Sequence, residues 1–71
     1  MDLVLRDEFI KLGQALKAAG IAESGVDAKE RILNEEVLVN GEVCTMRGKK
    51  LVAGDVVTTD GEEIHILPAN H

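Results

Sequence analysis

The spacing of apolar residues in the first twenty positions predicts an extended segment followed by a short helix. In "DLVLRDEFI", Leu3 and Leu5 are separated by one residue, an alternation typical of an edge strand or an extended arm. In "KLGQALKAAG", the apolar residues recur at helical spacing: Leu12, Ala15, Leu16 and Ala19. Gly20 follows the last of them and is placed to end this helix, because glycine readily adopts the left-handed conformation beyond a helix C-terminus.

A second helix is predicted within "ESGVDAKERILNEE". Ser24 is a good N-cap residue, because its hydroxyl can accept a hydrogen bond from a free backbone N–H of the first turn. Asp27 lies in or just after that first turn. Ala28 and Ile32 are four residues apart and therefore share one face of the helix.

The remainder of the chain has the pattern of short strands. Asn40-Gly41 is a type I′ turn signal inside "VLVNGEV" and predicts a hairpin. The stretch "KLVAGDVVTTDGEEIHIL" supplies further strands, separated at Gly54-Asp55 and Asp60-Gly61. Two short helices packed on a small, mostly antiparallel sheet make an α+β fold, and we expect residues 1–71 to form one domain.

Composition bounds the class of protein. The chain has 71 residues, of which 45% are hydrophobic, with one Phe and neither Trp nor Tyr, so the core must be aliphatic. A single cysteine cannot form an internal disulfide, and "MDLVLRDEF" lacks the basic region of a signal peptide. No apolar run is long enough to span a membrane. We therefore expect a cytoplasmic monomer with no membrane partner.

Catalytic and metal-binding patterns find little support. Cys44, His65 and His71 do not have the spacing of zinc ligands. His65 alternates with Ile64 and Ile66, which predicts a histidine on the strand surface, and Cys44 is expected to be a small buried thiol. The carboxylates form no acid–base pair, and no glycine-rich phosphate loop is present. We predict no catalytic residue, no metal site, no cofactor and no small-molecule substrate.

The distribution of charge is uneven. The chain has 8 Lys and Arg against 13 Asp and Glu, a net charge of −5, yet Arg47, Lys49 and Lys50 fall within four positions. Residues 43–54 carry these three cations and no acid, so the other 59 residues carry −8, since −5 − 3 = −8. The loop is either a solvated surface that keeps the chain soluble or a local positive field on an acidic body.

The second helix favours the latter interpretation. Arg31 has Asp27 as a partner four residues earlier, whereas Lys29 has no acid at its helical neighbours and shares a stripe with Gly25. A helix N-terminus attracts anions, Ser24 adds a hydroxyl, and glycine permits close approach of a phosphate to the backbone. Together with the basic loop, these residues predict a phosphate-binding face.

The order of these motifs resembles the RNA-binding domain named after the fourth ribosomal protein of the small subunit, also called the αL motif. The resemblance spans about residues 11–58. It rests on a Ser-led second helix, a "V-x-V-N-G" hairpin and a "G-D-x-V" segment, represented here by Ser24 and Ala28, by Val37, Val39, Asn40 and Gly41, and by Gly54, Asp55 and Val57. "SGxxAK" and "RGKK" are most similar to the small stand-alone bacterial members.

The resemblance implies two helices on a small sheet and binding to structured ribosomal or transfer RNA. The RNA-binding residues that it implies lie on the second helix and the basic loop: Ser24, Gly25, Lys29, Arg47, Lys49 and Lys50. Without Tyr or Trp, phosphate and shape recognition is favoured over base stacking. The alternative is a protein–protein adaptor that keeps the fold, binds little RNA and meets a basic partner through its acidic faces.

Overall fold

Short helices and strands follow one another along residues 1–69, the part of the chain that the computed structural model describes. His71, considered above as a metal ligand, lies outside these residues. In chain order the elements are β1 (Asp2–Val4), β2 (Ile10–Lys11), α1 (Leu12–Ala18), α2 (Gly25–Leu33), β3 (Val37–Val39), β4 (Glu42–Val43), β5 (Lys50–Leu51), β6 (Val56–Thr59) and β7 (Glu62–Leu67).

The strands form one five-stranded sheet and one two-stranded ladder. The five strands lie in the order β1-β7-β6-β3-β4, and every neighbouring pair is antiparallel except β1 and β7. The predicted extended segment at the N-terminus is therefore an edge strand, paired with the last strand of the chain. The separate ladder pairs β2 with β5 and lies next to the start of α1.

Both helices contribute to a single aliphatic core against one face of the sheet. The fully buried large side chains are Leu12, Leu16, Ile32, Val37, Leu51, Val57, Ile64 and Ile66. The predicted α+β fold is confirmed, and so are the buried Cys44 and the exposed His65 between two buried isoleucines. None of the helices within residues 1–69 has the length and apolar character needed to traverse a bilayer.

The helix ends have the predicted caps. Gly20 has φ +77° and donates its N–H to the carbonyl of Lys17 at 3.0 Å, which closes the last turn of α1. Ser24 precedes α2 in an extended conformation, and its Oγ accepts the N–H of Asp27 at 3.1 Å. Residues 19–24 connect the two helices, and the first residues of α2 lie at the surface.

The two hairpin turns have the same backbone conformation. Asn40 and Gly41 have φ of +52° and +85°, as a type I′ turn requires, and Asp60 and Gly61 have +53° and +76°. Asn40 also joins the first turn to the segment before β6. Its Oδ1 accepts the N–H of Val56 at 2.9 Å, and its Nδ2 donates to Asp55 at 3.0 Å.

Candidate nucleic-acid interface

The basic loop is residues 44–49 in the structure, and Lys50, predicted to lie on it, is instead the first residue of β5. The loop is anchored to the beginning of α1. The N–H of Leu12 donates to the carbonyl of Lys49 at 2.9 Å, and the N–H of Gly13 donates to the carbonyl of Arg47 at 3.0 Å. A turn within the loop is closed by the N–H of Lys49 and the carbonyl of Met46 at 3.1 Å. These contacts satisfy two of the free N–H groups of α1 and hold Arg47 beside this helix.

Cations from two distant parts of the sequence meet in a shallow cleft of about 310 Å³ between α1, the loop and the start of α2, which we call the basic cleft. It is lined by Lys11, Gly13, Gln14, Lys17, Gly25, Arg47 and Gly48. This lining holds three positive charges and no carboxylate. Its composition suits a polyatomic anion such as a phosphate group.

The start of α2 opens toward this cleft. Within residues 1–69, the N–H groups of Gly25 and Val26 have no hydrogen-bond partner, because the Ser24 hydroxyl is bonded to Asp27. Apart from its two chain neighbours and the backbone of its own helix, nothing in residues 1–69 lies within 4 Å of the position that a Cβ on Gly25 would occupy. The backbone is therefore accessible at the point where the helix dipole favours a negative charge.

The structure distributes the six predicted RNA-binding residues over adjoining surfaces. Gly25 and Arg47 line the basic cleft, and Ser24 caps the helix beside it. Lys29 is exposed one turn further along α2 and makes no ion pair within residues 1–69. Lys49 is half-buried and lines a different cleft with Glu42 and Cys44.

Lys50 lies on the β2–β5 ladder, where it is directly opposite Lys11. Two like charges at opposed positions repel each other unless a neighbour compensates. The Lys50 ammonium lies 4.8 Å from the centroid of the Phe9 ring, a favourable cation–π geometry. The ladder thus continues the positive surface of the basic cleft as far as the aromatic ring.

Negative charge is concentrated on another side of α2. Asp27 lies about 200° around the helix from Gly25, and its carboxylate pairs with Arg31 at 3.2 Å. The backbone N–H of Glu23 donates to the same carboxylate, and this bond, together with Arg31, lowers the pKa of Asp27 below its ordinary value. A second cleft on this side, which we call the acidic cleft, is lined by Asp27, Glu30, Arg31, Asn34, Glu36 and Asp60.

Sequence reasoning did not assign Lys11, Gln14 and Lys17 to the site. They recur every three residues on the polar side of α1, which is the side opposite its buried leucines. A usable signal was present, because residues 9–22 contain these two lysines and no acid, like the segment around the basic loop. Their convergence on Arg47 depends on tertiary contacts between α1 and the loop.

Ligands for a metal ion do not cluster in the described part of the chain. Within residues 1–69, no group of three or more His, Cys, Asp or Glu side chains is arranged to hold a metal ion. The Sγ of buried Cys44 contacts the Met46 carbonyl at 3.7 Å, and exposed His65 has Glu63 at 3.9 Å.

Comparison with known proteins agrees with this architecture. A probable ribosome maturation protein, RlbA, of Bacillus subtilis is 50% identical over 54 residues, which are 76% of each chain. The putative RNA-binding protein YbcJ of Escherichia coli is 36% identical over 58 residues, 82% of this chain and 83% of YbcJ. The solution structure of YbcJ, described as revealing an αL motif involved in RNA binding, superposes with a TM-score of 0.71 at 33% identity. That superposition covers 93% of this chain and 85% of YbcJ.

The family assignment rests on the whole of the fold described above. The model of the S4 domain matches residues 3–67, from the first strand of the sheet to the last. This match extends beyond the segment of about residues 11–58 on which the sequence resemblance was recognised, because it includes the β1–β7 pair. The chain belongs to the S4 domain family.

Proposed function

We propose that this protein binds structured RNA, ribosomal or transfer RNA, mainly through phosphate contacts on the basic cleft and the adjoining surface of α2. The observation that carries the proposal is the convergence of Lys11, Lys17 and Arg47 on one acid-free cleft in a chain of net charge −5. The names of the relatives support RNA as the ligand, and that of the Bacillus protein favours ribosomal RNA.

Phosphate contacts follow from the geometry of the donors. Arg47 presents a planar guanidinium that can bond two phosphate oxygens at once, whereas the lysines act as point charges. The free N–H groups at the start of α2 add a fixed dipole beside them. Because carboxylates predominate on the Asp27 side of α2, a polyanion is repelled there and is favoured on the basic face.

A salt titration of RNA binding tests the proposal. With about three to four phosphate contacts, the logarithm of the association constant should fall by roughly 2–4 for each tenfold rise in salt. In the triple variant Arg47→Gln, Lys49→Gln, Lys50→Gln, the salt dependence should be less steep by the contribution of about two phosphate contacts. This variant should stay folded, because Arg47 and Lys50 are exposed and Lys49 is half-buried, and surface substitutions usually cost under about 0.5 kcal/mol each.

A charge-matched pair separates the site from the total charge. Arg47→Gln and Arg31→Gln remove the same charge, one from the basic cleft and one from the acidic side of α2. Only the first should reduce the affinity and the slope. Equal losses in both variants would show that binding follows net charge and that the basic cleft is not the site.

If the protein binds no RNA in this titration, the result would favour the alternative function, that of a protein–protein adaptor. The acidic cleft between α2 and Asp60 is the surface that would then meet a basic partner. An adaptor should bind a cationic protein in a salt-dependent way. Glu30→Gln and Glu36→Gln should weaken this binding, and Arg47→Gln should leave it unchanged.

A further inference from the structure

A larger cleft, of about 700 Å³, lies beside the connection between β1 and β2. Its apolar lining comes from three parts of the chain and includes Leu5, Phe9, Ala53 and Pro68. We call it the Phe9 cleft, because it contains the single aromatic side chain of the protein. Its volume is within the range of sites that bind small organic groups.

The Phe9 ring connects the Phe9 cleft to the positive surface, because it lines the cleft and contacts Lys50. Phe9 is 39% exposed, although its side chain is the largest apolar one of the molecule, and the Lys50 ammonium lies 4.8 Å from its ring centroid. Lys50 is in turn opposite Lys11, which lines the basic cleft. A nucleotide whose phosphate contacts Lys50 therefore has its base within reach of the ring.

We propose that the Phe9 cleft binds the base of one unpaired nucleotide, stacked on the face of the Phe9 ring that the Lys50 ammonium does not cover, in the RNA that the basic cleft holds. The inference rests on the proposed function and adds a class of ligand to it, because phosphate contacts alone do not distinguish an unpaired nucleotide from a paired one. Recognition of an unstacked base by an aromatic ring is a common way for proteins to select unpaired positions in RNA.

Charge decides which part of the nucleotide enters. Asp7 and Glu8 line the same cleft and repel a phosphate, so the backbone stays on the lysine side. A neutral base meets no such repulsion. Its faces match the apolar walls, and its edge can donate hydrogen bonds to these carboxylates or accept them from Arg6.

The experiment compares two RNA hairpins with the same stem, one fully paired and one with a single bulged nucleotide. Binding is measured for the wild-type protein, for Phe9→Leu and for Leu33→Ala. Leu33 is an exposed apolar side chain of α2 that lines neither cleft, so its variant controls for a general loss of apolar surface. Circular dichroism checks that each variant is folded.

The wild type and Leu33→Ala should bind the bulged hairpin more tightly than the paired one, by roughly five- to 150-fold, the usual contribution of one stacked base. Phe9→Leu should lose this preference, bind the paired hairpin as the wild type does, and keep the slope of its salt dependence. In a Lys50→Gln variant, the salt dependence of binding should instead be less steep for both hairpins, by the contribution of about one phosphate contact.

Equal affinity of the wild-type protein for the two hairpins would overturn the inference and leave the proposed function intact. Binding to neither hairpin would overturn both. If Phe9→Leu does not fold, the inference can be tested with the wild-type protein alone, by placing a fluorescent adenine analogue at the bulge and measuring its emission. Its emission should change on binding, because the base leaves the stack of its RNA neighbours for the Phe9 ring, and an unchanged emission would refute the inference.

Discussion

Replacing Asn40 by alanine tests how the hairpin turn is joined to the segment before β6. Asn40 has φ +52°, a conformation that costs alanine about 1 kcal/mol or more. Its side chain makes two hydrogen bonds, from the N–H of Val56 and to Asp55, each with a net value of about 0.5–1.5 kcal/mol. The variant Asn40→Ala should therefore lose about 2–4 kcal/mol of unfolding free energy.

Asp60 is a matched control, because it occupies the equivalent position of the second hairpin turn with φ +53°. Its side chain is 73% exposed and has only a 3.9 Å contact with Arg31. Asp60→Ala should thus have only the conformational cost, about 1 kcal/mol. The difference between the two variants isolates the two hydrogen bonds of Asn40.

Urea denaturation followed by far-ultraviolet circular dichroism measures both free energies, since the chain has no Trp or Tyr for fluorescence. In melting temperature, Asp60→Ala should lose about 4–8 °C and Asn40→Ala at least about twice as much. Equal losses in the two variants would refute the reasoning, because the Asn40 side chain would then contribute no more than its backbone conformation.

Three further predictions concern single side chains. Lys29→Ala should weaken RNA binding without changing stability, whereas Arg31→Ala should spare binding and cost about 0.2–0.5 kcal/mol in a urea titration; the reverse result would place the RNA on the other side of α2. Thr59 is buried, and its hydroxyl has no hydrogen-bond partner within residues 1–69, so Thr59→Val should raise the melting temperature; a lower value would show that the hydroxyl is satisfied. The pKa of Asp27 is lowered in the folded state, so its stabilising contribution is present above the ordinary pKa of an aspartate and is lost as the pH falls through the folded value. Asp27→Asn should therefore lose less stability than the wild type on acidification, and parallel pH profiles would exclude this contribution.

The local structure of this protein was predictable because its signals lie close together in the sequence. Ser24 could be recognised as a helix cap and Gly20 as a helix end, and both have these roles in the structure. The Asn40-Gly41 turn was equally evident, since few residues tolerate two successive positive φ angles. The pairing of Arg31 with Asp27 also followed from helical spacing alone.

Only the tertiary structure decided which residues share a surface. Lys11 and Lys17 are far from Arg47 in the sequence, and the hydrogen bond from Gly13 to the Arg47 carbonyl brings the two segments together. Lys49 and Lys50 are adjacent in the sequence, yet one lines the cleft beside the β3–β4 hairpin and the other lies over Phe9.

The physical reason is the range of the interactions involved. Caps, turns and ion pairs within one helix depend on backbone geometry over a few residues, so the order of residue types determines them. A binding surface depends instead on how helices and strands pack, and packing brings together side chains that no short sequence pattern relates. The sequence therefore determined the elements of this fold and the location of its charged segments, and the packing of α1 against the basic loop determined the cleft they form.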